Sequence, residues 1–245
     1  MHRFFISPDR FSPTSVVITD EQAHQITRVL RLRVDDKIVV LDNAGWEYEV
    51  QITAVSQKSI IADIVNKQEA QGEPEIDITL CMGLMKRDKF EWVLQKCTEV
   101  GVTRFVPMVT QRSLVQETTM KATKFERWQK IITEAAEQSR RGKLPELCQP
   151  IKLADAFAQN EAELALVPWE EAEDRNLRMV LAGKRPSSVA LFIGPEGGFA
   201  AEEIALAQTH DIQPITLGKR ILRAETAAMV ASSLILYELE QTKPL

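Results

Sequence analysis

Two glycine-bearing segments in the second half of the 245-residue chain carry residue types that suit ligand binding. The chain has only 10 glycines, and 4 of them fall between positions 194 and 218. The first segment follows the apolar run Ser188–Ile193 and reads Gly194-Pro195-Glu196-Gly197-Gly198-Phe199. Glycine lets a backbone approach a ligand closely, and ligands of open α/β sheets bind beyond the carboxyl ends of strands. The segment therefore predicts a ligand-binding turn, with Glu196 as a hydrogen-bond acceptor. The alternative is a tight turn without a ligand.

The second segment follows a predicted strand and opens a predicted helix. It reads Leu217-Gly218-Lys219-Arg220-Ile221-Leu222-Arg223-Ala224-Glu225-Thr226. Ile221 and Leu222 are apolar side chains in a loop flanked by cations, so they could cover an aromatic base while Arg223 meets an anion. The alternative is a solvated helix N-terminus. Because both segments end strands that succeed one another in sequence, they are predicted to form opposite walls of one pocket.

Several common kinds of site are disfavoured. The chain has no G-x-x-x-x-G-K-[ST], no G-x-G-x-x-G and no G-x-S-x-G, so neither a known phosphate cradle nor a serine hydrolase is expected. Cys81, Cys97 and Cys148 are far apart, and the chain has only 3 histidines. A structural zinc site needs about four such ligands, so no metal site is expected. Unpaired cysteines suit a reducing cytoplasm.

Composition excludes some classes of protein. With 44% hydrophobic and 27% charged residues the chain is too apolar to be disordered. It has no apolar run long enough to span a bilayer and no segment typical of a secretory signal, so a cytoplasmic location is expected. The net charge of -5 argues against indiscriminate coating of nucleic acid. Local clusters of cations still leave selective RNA binding open.

Residues 1–72 are predicted to form a small β-barrel with one helix. Period-two alternation and a turn at Asn43–Gly45 predict a hairpin. The predicted strands are Lys37–Asp42, Trp46–Thr53 and Ser59–Val65. Thr19 and Gln22 suggest a capping box at the start of the helix, whose apolar face would carry Ala23, Ile26 and Leu30. The polar segment Asn66–Glu75 is interpreted as an interdomain linker.

Strands and helices alternate from Ile76 onward, which predicts an α/β domain over residues 73–245 with a mostly parallel sheet. The predicted strands are Ile76–Met85, Arg104–Val109, Ala165–Pro168, Ser188–Ile193 and Gln213–Leu217. The predicted helices are Phe90–Val100 with Gly101 as its cap, Ala122–Arg141, Ala200–Thr209 and Glu225–Glu240. Small residues early in the last helix, such as Ala227 and Ala231, favour close packing of another helix, either within the chain or in a dimer.

These segments resemble a known enzyme family. IGPEGGF at Ile193–Phe199 and LGKRILRAETA at Leu217–Ala227 resemble the two cofactor-binding motifs of the SPOUT (α/β-knot) methyltransferases. More narrowly, they resemble the bacterial family that methylates N3 of a uridine in 16S ribosomal RNA. Three further stretches agree in order and spacing: Gln95–Val102 resembles QKxxELGV, Arg127–Arg141 resembles RW…EAxEQSxR, and His24–Arg31 resembles HxxxVLR. The resemblance spans essentially the whole chain.

The resemblance implies a trefoil-knotted α/β domain, a PUA-like N-terminal barrel that binds RNA, and a homodimer. It further implies S-adenosylmethionine as methyl donor and 16S ribosomal RNA as substrate. The 30S particle is the expected form of that RNA, and free RNA stays open as the alternative. Carried over by position, the cofactor-binding residues are Leu166, Val167, Pro168, Gly194, Pro195, Glu196, Gly197, Gly198, Leu217, Gly218, Ile221, Leu222, Ala224 and Thr226.

Catalysis at uridine N3 needs positioning and help with the charge left when the proton departs. The hypothesis is that Arg223 or Arg112 stabilises the uracil anion, with Glu225 or Glu196 as an orienting acceptor. The candidate RNA contacts are Arg28, Arg31, Arg33, Lys86, Arg87, Lys89 and Arg141, each of which could equally belong to a solvated face.

Three other functions stay open at this point. A knotted methyltransferase acting on transfer RNA or on another ribosomal RNA position would share most of these features. A non-catalytic RNA-binding protein would keep the basic N-terminal cluster, but it would have no reason for two glycine-bearing loops at strand ends. A nucleotide-binding enzyme using Gly194–Gly198 for phosphate is disfavoured by the absence of a following Lys-Ser/Thr.

Overall fold

The computed structural model describes residues 1–56, 58–172 and 175–240, and the side chain of Arg87 lies outside that description. The chain forms two units. Unit 1 comprises Met1–Glu73 together with Ala136–Leu144, and unit 2 comprises Pro74–Ala135 together with the chain from Pro145 onward. Each unit has its own sheet and its own hydrophobic core.

Unit 1 contains a five-stranded sheet in the order β1-β3-β4-β5-β2. The strands are β1 Arg3–Phe5, β2 Ser15–Thr19, β3 Lys37–Leu41, β4 Trp46–Val55 and β5 Ser59–Glu69. β1 pairs with β3 in parallel, and the other pairs are antiparallel. Alternate residues such as Ile38, Val50 and Ile60 point into one core and are fully buried. The predicted β3–β4 hairpin is confirmed, and the Asp42 carboxylate accepts the Ala44 amide at 2.8 Å in its turn.

The helix of unit 1 begins directly after Thr19, as predicted, but without the predicted capping box. It consists of α1, Asp20–His24, and a π-helical turn, Gln25–Val29. The predicted capping box is wrong, because the Thr19 hydroxyl donates to the Asp20 carboxylate at 2.6 Å and the Gln22 amide donates to the Phe5 carbonyl. The apolar face is confirmed, since Ala23 and Ile26 are buried.

Unit 2 contains a parallel sheet of seven strands, six of them in the order β12-β10-β11-β6-β7-β8, with β9 also paired to β7. The strands are β6 Asp77–Gly83, β7 Arg104–Val109, β8 Glu146–Leu147, β9 Ile151–Lys152, β10 Leu164–Pro168, β11 Ser188–Ile193 and β12 Gln213–Ile215. The helices are α2 Arg87–Val100, α3 Ala122–Gln138, α4 Leu153–Ala158, α5 Leu177–Leu181, α6 Ala201–Thr209 and α7 Ala224–Glu240. The last residues of α3, from Ala136 onward, belong to unit 1. Every strand and helix predicted after residue 76 is present, while β8, β9, α4 and α5 were not predicted.

The parallel sheet is buried on both faces, as strands with continuous apolar runs require. In β11 the side chains of Val189, Leu191 and Ile193 join the core that includes residues of α2 and α7. The intervening Ala190 and Phe192 join a second core with residues of α4 and α6. Unit 2 therefore has three layers, helix, sheet and helix.

The segment predicted to be a linker is partly strand. β5 continues to Glu69, and its last residues pair with β4, with Tyr48 opposite Lys67 and Trp46 opposite Glu69. The polar side chains of this stretch lie on an exposed strand, which is why the composition resembled a linker. Unit 1 also takes in Ala136–Leu144, which the contiguous division into 1–72 and 73–245 did not include.

Arg141 is not available for RNA binding in this structure, so that prediction is wrong. Its side chain is only 2% exposed, and its guanidinium donates to the Glu73 carboxylate at 3.0 Å. The same carboxylate accepts the backbone amides of Gly142 and Lys143 at 2.8 and 3.0 Å. Glu73 therefore fixes Arg141 and the backbone after it inside unit 1.

The small residues of α7 pack within the chain. Ala228, Ala231 and Ser232 are fully buried, and α7 contacts α2, α5, β6 and β11. Close approach also occurs at Gly101, where an added Cβ would lie 2.9 Å from Leu236. These buried small side chains pack in the chain's own core, and the dimer interface stays a prediction.

The buried cysteines are unpaired thiols without a role as nucleophiles. Cys81 and Cys97 are buried and free. Burial raises the pKa of the Cys97 thiol to about 12 and raises the pKa of Cys81 even further above its ordinary value. Both thiols are therefore protonated at neutral pH. Within the described residues we find no group of three or more side chains able to hold a metal ion, and no helix there is long and apolar enough to cross a membrane.

Replacing Glu73 by Ala is expected to destabilise the protein strongly, because it leaves the Arg141 charge buried without its carboxylate. Removing one partner of a buried ion pair costs about 3–5 kcal/mol, measurable by urea-induced unfolding. The matched control is Glu49→Ala, which removes the partner of the more exposed Lys37 at 2.7 Å. That surface pair should contribute about 0–1 kcal/mol. Equal losses in the two variants would contradict the role given to Glu73.

Candidate functional site

Three loops at one edge of the parallel sheet enclose a cavity of about 720 Å³. They follow β11, β10 and β12, and β10 lies between the other two in the sheet. The carboxyl ends of parallel strands meet at the same edge, so residues distant in sequence converge there. The structure thus brings the two predicted glycine-bearing segments to one cavity, with a third loop, residues 168–172, between them.

The loop after β11 is held in a shape that only glycine permits at its tightest points. A Cβ at Gly194 would lie 3.0 Å from the carbonyl carbon of Gly198, and Gly198 itself has a φ of +67°. The Gly198 amide donates to the Pro195 carbonyl at 2.9 Å. Below the loop, a Cβ at Gly83 would lie 2.5 Å from the Pro195 nitrogen. The loop backbone therefore forms one wall of the cavity without side chains filling it.

Arg112 secures this loop from outside. Its guanidinium donates to the Gly197 carbonyl at 2.8 Å, and a Cβ at Gly197 would lie 3.1 Å from the Arg112 Cβ. Arg112 is not among the residues that line the cavity. The Glu203 carboxylate adds a second clamp, accepting the amides of Gln111 and Ala200, each at 2.8 Å.

The loop after β12 presents both apolar and cationic side chains. Its turn is fixed by the Gly218 amide, which donates to the Thr216 hydroxyl at 3.1 Å, with Gly218 at a φ of +110°. Ile221 is 82% exposed, far more than an aliphatic side chain in a stable contact, while Leu222 is half-buried. Arg223 is exposed and its carbonyl accepts the amide of Ala227 at 2.8 Å as α7 begins. The loop therefore offers an apolar surface and a guanidinium to whatever enters the cavity.

The third loop places Trp169 and Glu170 in the cavity wall beside Pro168. The Trp169 amide donates to the Ile215 carbonyl at 3.0 Å and so continues the pairing of β10 with β12. Neither residue was predicted, although their position just after a parallel strand is the signal that located the other two loops.

Some predicted cofactor residues do not reach the cavity. Leu166 and Val167 are fully buried inside β10, with their side chains in the two cores, and Thr226 is not among the lining residues. A cofactor contact at these three residues stays a prediction, and it would have to come from their backbone or from a ligand that reaches beyond this cavity. The remaining predicted cofactor residues all line the cavity, namely Pro168, Gly194, Pro195, Glu196, Gly197, Gly198, Leu217, Gly218, Ile221, Leu222 and Ala224.

A charged cluster lies in the wall where the loops meet α2. The Lys89 ammonium is 3.7 Å from a carboxylate oxygen of Glu196 and 3.7 Å from one of Glu225. Lys89 was predicted as an RNA contact, but its side chain lines the cavity. The other Glu225 oxygen, Oε2, is buried and has no hydrogen-bond partner among the described residues. The cluster therefore combines a shared cation with an unsatisfied carboxylate oxygen.

The other RNA candidates are distributed over both units. Arg28, Arg31 and Arg33 are exposed in unit 1, within and just after the π-helical turn. In unit 2, Lys86 is exposed and its backbone amide donates to Glu196 at 3.4 Å. The Arg87 side chain lies outside the described residues.

Comparison with known proteins identifies the family. A model described as "RNA methyltransferase domain" matches residues 72–236, and one described as "RNA methyltransferase PUA domain" matches residues 18–65. Ribosomal RNA small subunit methyltransferase E of Synechocystis sp. is 36% identical over 94% of this chain and 75% of its own. The Bacillus subtilis protein of that name is 32% identical over 98% of both chains.

A solved structure agrees with these sequence relatives. The ribosomal RNA small subunit methyltransferase E of Neisseria gonorrhoeae, crystallised with S-adenosyl methionine, superposes with a TM-score of 0.87 at 29% identity, over 97% of each chain. The fold and the cavity at the strand ends thus fit an RNA methyltransferase with a PUA domain. The chain belongs to the ribosomal RNA small subunit methyltransferase E family. The predicted fold class, an α/β-knot domain with a PUA-like N-terminal sheet, is confirmed.

Proposed function

We propose that the protein transfers a methyl group from S-adenosylmethionine to N3 of a uridine in 16S ribosomal RNA, acting on the 30S particle in the cytoplasm as a homodimer. One observation carries the proposal: the cavity is built by loops after three neighbouring parallel strands, and its wall contains both segments that resemble the family's cofactor motifs. Relatives of matching length are named as small-subunit ribosomal RNA methyltransferases, which supports the choice of RNA.

The residues present fit S-adenosylmethionine. A cavity of about 720 Å³ is within the range of small-molecule sites. The Gly194–Gly198 backbone supplies a wall whose tight turn a side chain at Gly194 would disturb, because its Cβ would lie 3.0 Å from Gly198. Leu217 and Leu222 supply apolar surface for an adenine ring. When bound, the cofactor supplies an electrophilic methyl group on a positively charged sulfur. The protein's task is then to hold the base in line with that methyl group and to manage the charge on the base.

Arg223 is the better candidate for stabilising the uracil anion. Uridine N3 carries a weakly acidic proton on a base-pairing edge, so the base must leave its pair before it reacts. As the proton departs, negative charge spreads to O2 and O4, where a guanidinium can stabilise it. Arg223 is exposed and lines the cavity, whereas Arg112 is engaged with the Gly197 carbonyl and lies outside the cavity. Glu225 and Glu196, both in the cavity wall, are the acceptors available to orient the base.

RNA docking is assigned to Arg28, Arg31 and Arg33 of unit 1. All three are exposed, and Arg31 adopts a positive φ of 58° directly after the π-helical turn. Exposed Val29 and Val34 alternate with these arginines, at 67% and 48% exposure. A surface of guanidinium and aliphatic groups suits phosphates together with unstacked bases.

The experiment that tests the reaction is nucleoside analysis of 16S ribosomal RNA from a strain lacking the gene. Mass spectrometry should show N3-methyluridine absent in that strain and restored by the gene on a plasmid. Loss of a methylated nucleoside at another ribosomal RNA position, or in transfer RNA, would identify a different substrate. An unchanged set of methylated nucleosides would contradict a methyltransferase role on either RNA.

Arg223→Ala should slow methyl transfer far more than it weakens cofactor binding. Losing one preorganised stabiliser of a developing oxyanion costs about 100- to 1,000-fold in rate. Single-turnover methylation of 30S subunits measures the rate, and isothermal titration measures the affinity for S-adenosylmethionine. The control is Arg178→Ala, an exposed arginine of α5 outside the cavity. Lost cofactor binding with normal single-turnover chemistry would show that Arg223 is a cofactor ligand instead.

Replacing Arg28, Arg31 and Arg33 together by Gln should reduce the salt dependence of RNA binding. Three phosphate contacts account for a change of about 2 to 3 in the slope of log K against log[salt]. Filter binding to 16S ribosomal RNA between low and moderate salt measures the slope. The control removes exposed Lys184 and Arg185 of unit 2 in the same way. A wild-type slope in the triple variant would exclude these arginines as phosphate contacts.

A further inference from the structure

The charged cluster of Lys89, Glu196 and Glu225 has a composition that cofactor binding alone does not explain. One ammonium faces two carboxylates, each at 3.7 Å, so the cluster carries a net negative charge. Their side chains are 28%, 27% and 17% exposed, respectively, which places all three in the cavity wall rather than on an open surface. At these distances the contacts are ion pairs without a hydrogen bond. The carboxylates therefore keep capacity to accept a hydrogen bond.

Glu225 has the greater unused capacity. Its Oε2 atom is buried and finds no donor among the described residues. A buried polar atom without a partner costs free energy, so it calls for an explanation such as a ligand or a catalytic role. Glu196 differs, because its Oε1 atom already receives the Lys86 backbone amide at 3.4 Å. Glu225 lines the cavity, and it is the carboxylate of the cluster with an acceptor atom that no described residue uses.

We propose that Glu225 is the group that receives the N3 proton of the uridine, and that Lys89 is the positioning residue that holds its carboxylate. The inference rests on the proposed function. In the step, the proton moves from N3 to a Glu225 oxygen and the N3 electron pair forms the bond to the methyl carbon. The bond between that carbon and sulfur breaks, which leaves a neutral thioether. Glu225 then returns the proton to water.

The residue proposed to stabilise the oxygen charge and the residue proposed to take the proton lie on one segment of the chain. Arg223 ends the loop after β12, and Glu225 lies two residues later in the first turn of α7. Both residues also line the same cavity, so a base held there would have a guanidinium for the oxygen charge and a carboxylate for the proton in the surrounding wall. Among the described residues the charged group paired with the Glu225 carboxylate is Lys89 from α2, and Glu170, Glu196, Lys219, Arg220 and Arg223 are the other charged residues that line the same cavity.

The first test is Glu225→Gln, which keeps the shape of the side chain and removes its ability to take a proton. General base catalysis contributes about 100- to 10,000-fold, so the single-turnover rate on 30S subunits should fall by that factor. S-adenosylmethionine binding, measured by isothermal titration without RNA, should remain at the wild-type level. Lost binding would show that Glu225 is a cofactor ligand and would overturn the proposal.

Two further measurements show whether Glu225→Gln lowers the rate because it cannot take the proton or because the site is structurally disturbed. In Glu225→Gln the rate should rise about tenfold per pH unit, because solvent must now remove the N3 proton before attack. Subunits reconstituted with 5-fluorouridine in their 16S RNA, whose N3 proton is more acidic, should recover much of the lost rate. A flat pH profile, or an equal loss on both RNAs, would overturn the assignment.

The positioning role of Lys89 is tested with one variant that removes its charge and one that keeps it. Lys89→Met should lower kcat with little change in KM for 30S subunits, and Lys89→Arg should restore most of kcat. The matched control is Lys96→Met on the same helix, since Lys96 pairs with Glu99 at 2.8 Å outside the cavity. Equal effects of the Lys89 and Lys96 variants would overturn the positioning role. If the wild-type protein itself methylates no RNA, the proposed function is wrong. If the wild-type protein is active and the Glu225 and Lys89 variants are equally active, the proposed function stands and the roles given to Glu225 and Lys89 are wrong.

Discussion

Parallel pairing in the sheet of unit 2 is the constraint on which the site depends. Since β12, β10 and β11 are neighbours and run in the same direction, their carboxyl ends release three loops at one edge. Residues 168, 194 and 223 thereby reach one cavity. Burial of both faces of the sheet fixes where each strand ends, and the loops start from these fixed points. Their glycines serve close approach of backbone segments, not general flexibility.

One part of the cavity wall is formed mainly by backbone, and the opposite part is formed by side chains. Around Gly194 the backbone forms the surface, and Arg112 and Glu203 stabilise it from outside through hydrogen bonds of 2.8 Å. Opposite, the loop after β12 contributes side chains, with Ile221 almost fully exposed. The wall formed by the loop after β11 therefore offers mainly backbone, with Glu196 as its charged side chain. The wall formed by the loop after β12 carries further groups that could respond to charge on a bound base.

Local sequence patterns predicted the strands and helices well, but they did not predict which strands lie next to one another in the sheet. The apolar run Ser188–Ile193 is β11 with the same bounds, because a strand buried on both faces leaves a continuous signal. The two glycine-bearing segments also located most of the cavity lining. The position of β10 between β11 and β12 was not predictable from local sequence, since sheet order is set by long-range packing. Trp169 and the use of Lys89 in the cavity were missed for that reason. Arg141 was misassigned because its partner Glu73 is 68 residues away.

The division of the chain has a consequence for how the protein is made. Unit 1 needs Ala136–Leu144 as well as its first 73 residues, and Ala136 and Leu144 pack with Phe5, Val39 and Leu41. During synthesis the ribosome must therefore add another 71 residues after Glu73 before the first unit is complete. At about 5–20 residues per second that is a delay of roughly 4–14 s. Until then the contacts of Ala136 and Leu144 with the first hydrophobic residues of the unit, and the ion pair between Glu73 and Arg141, cannot form.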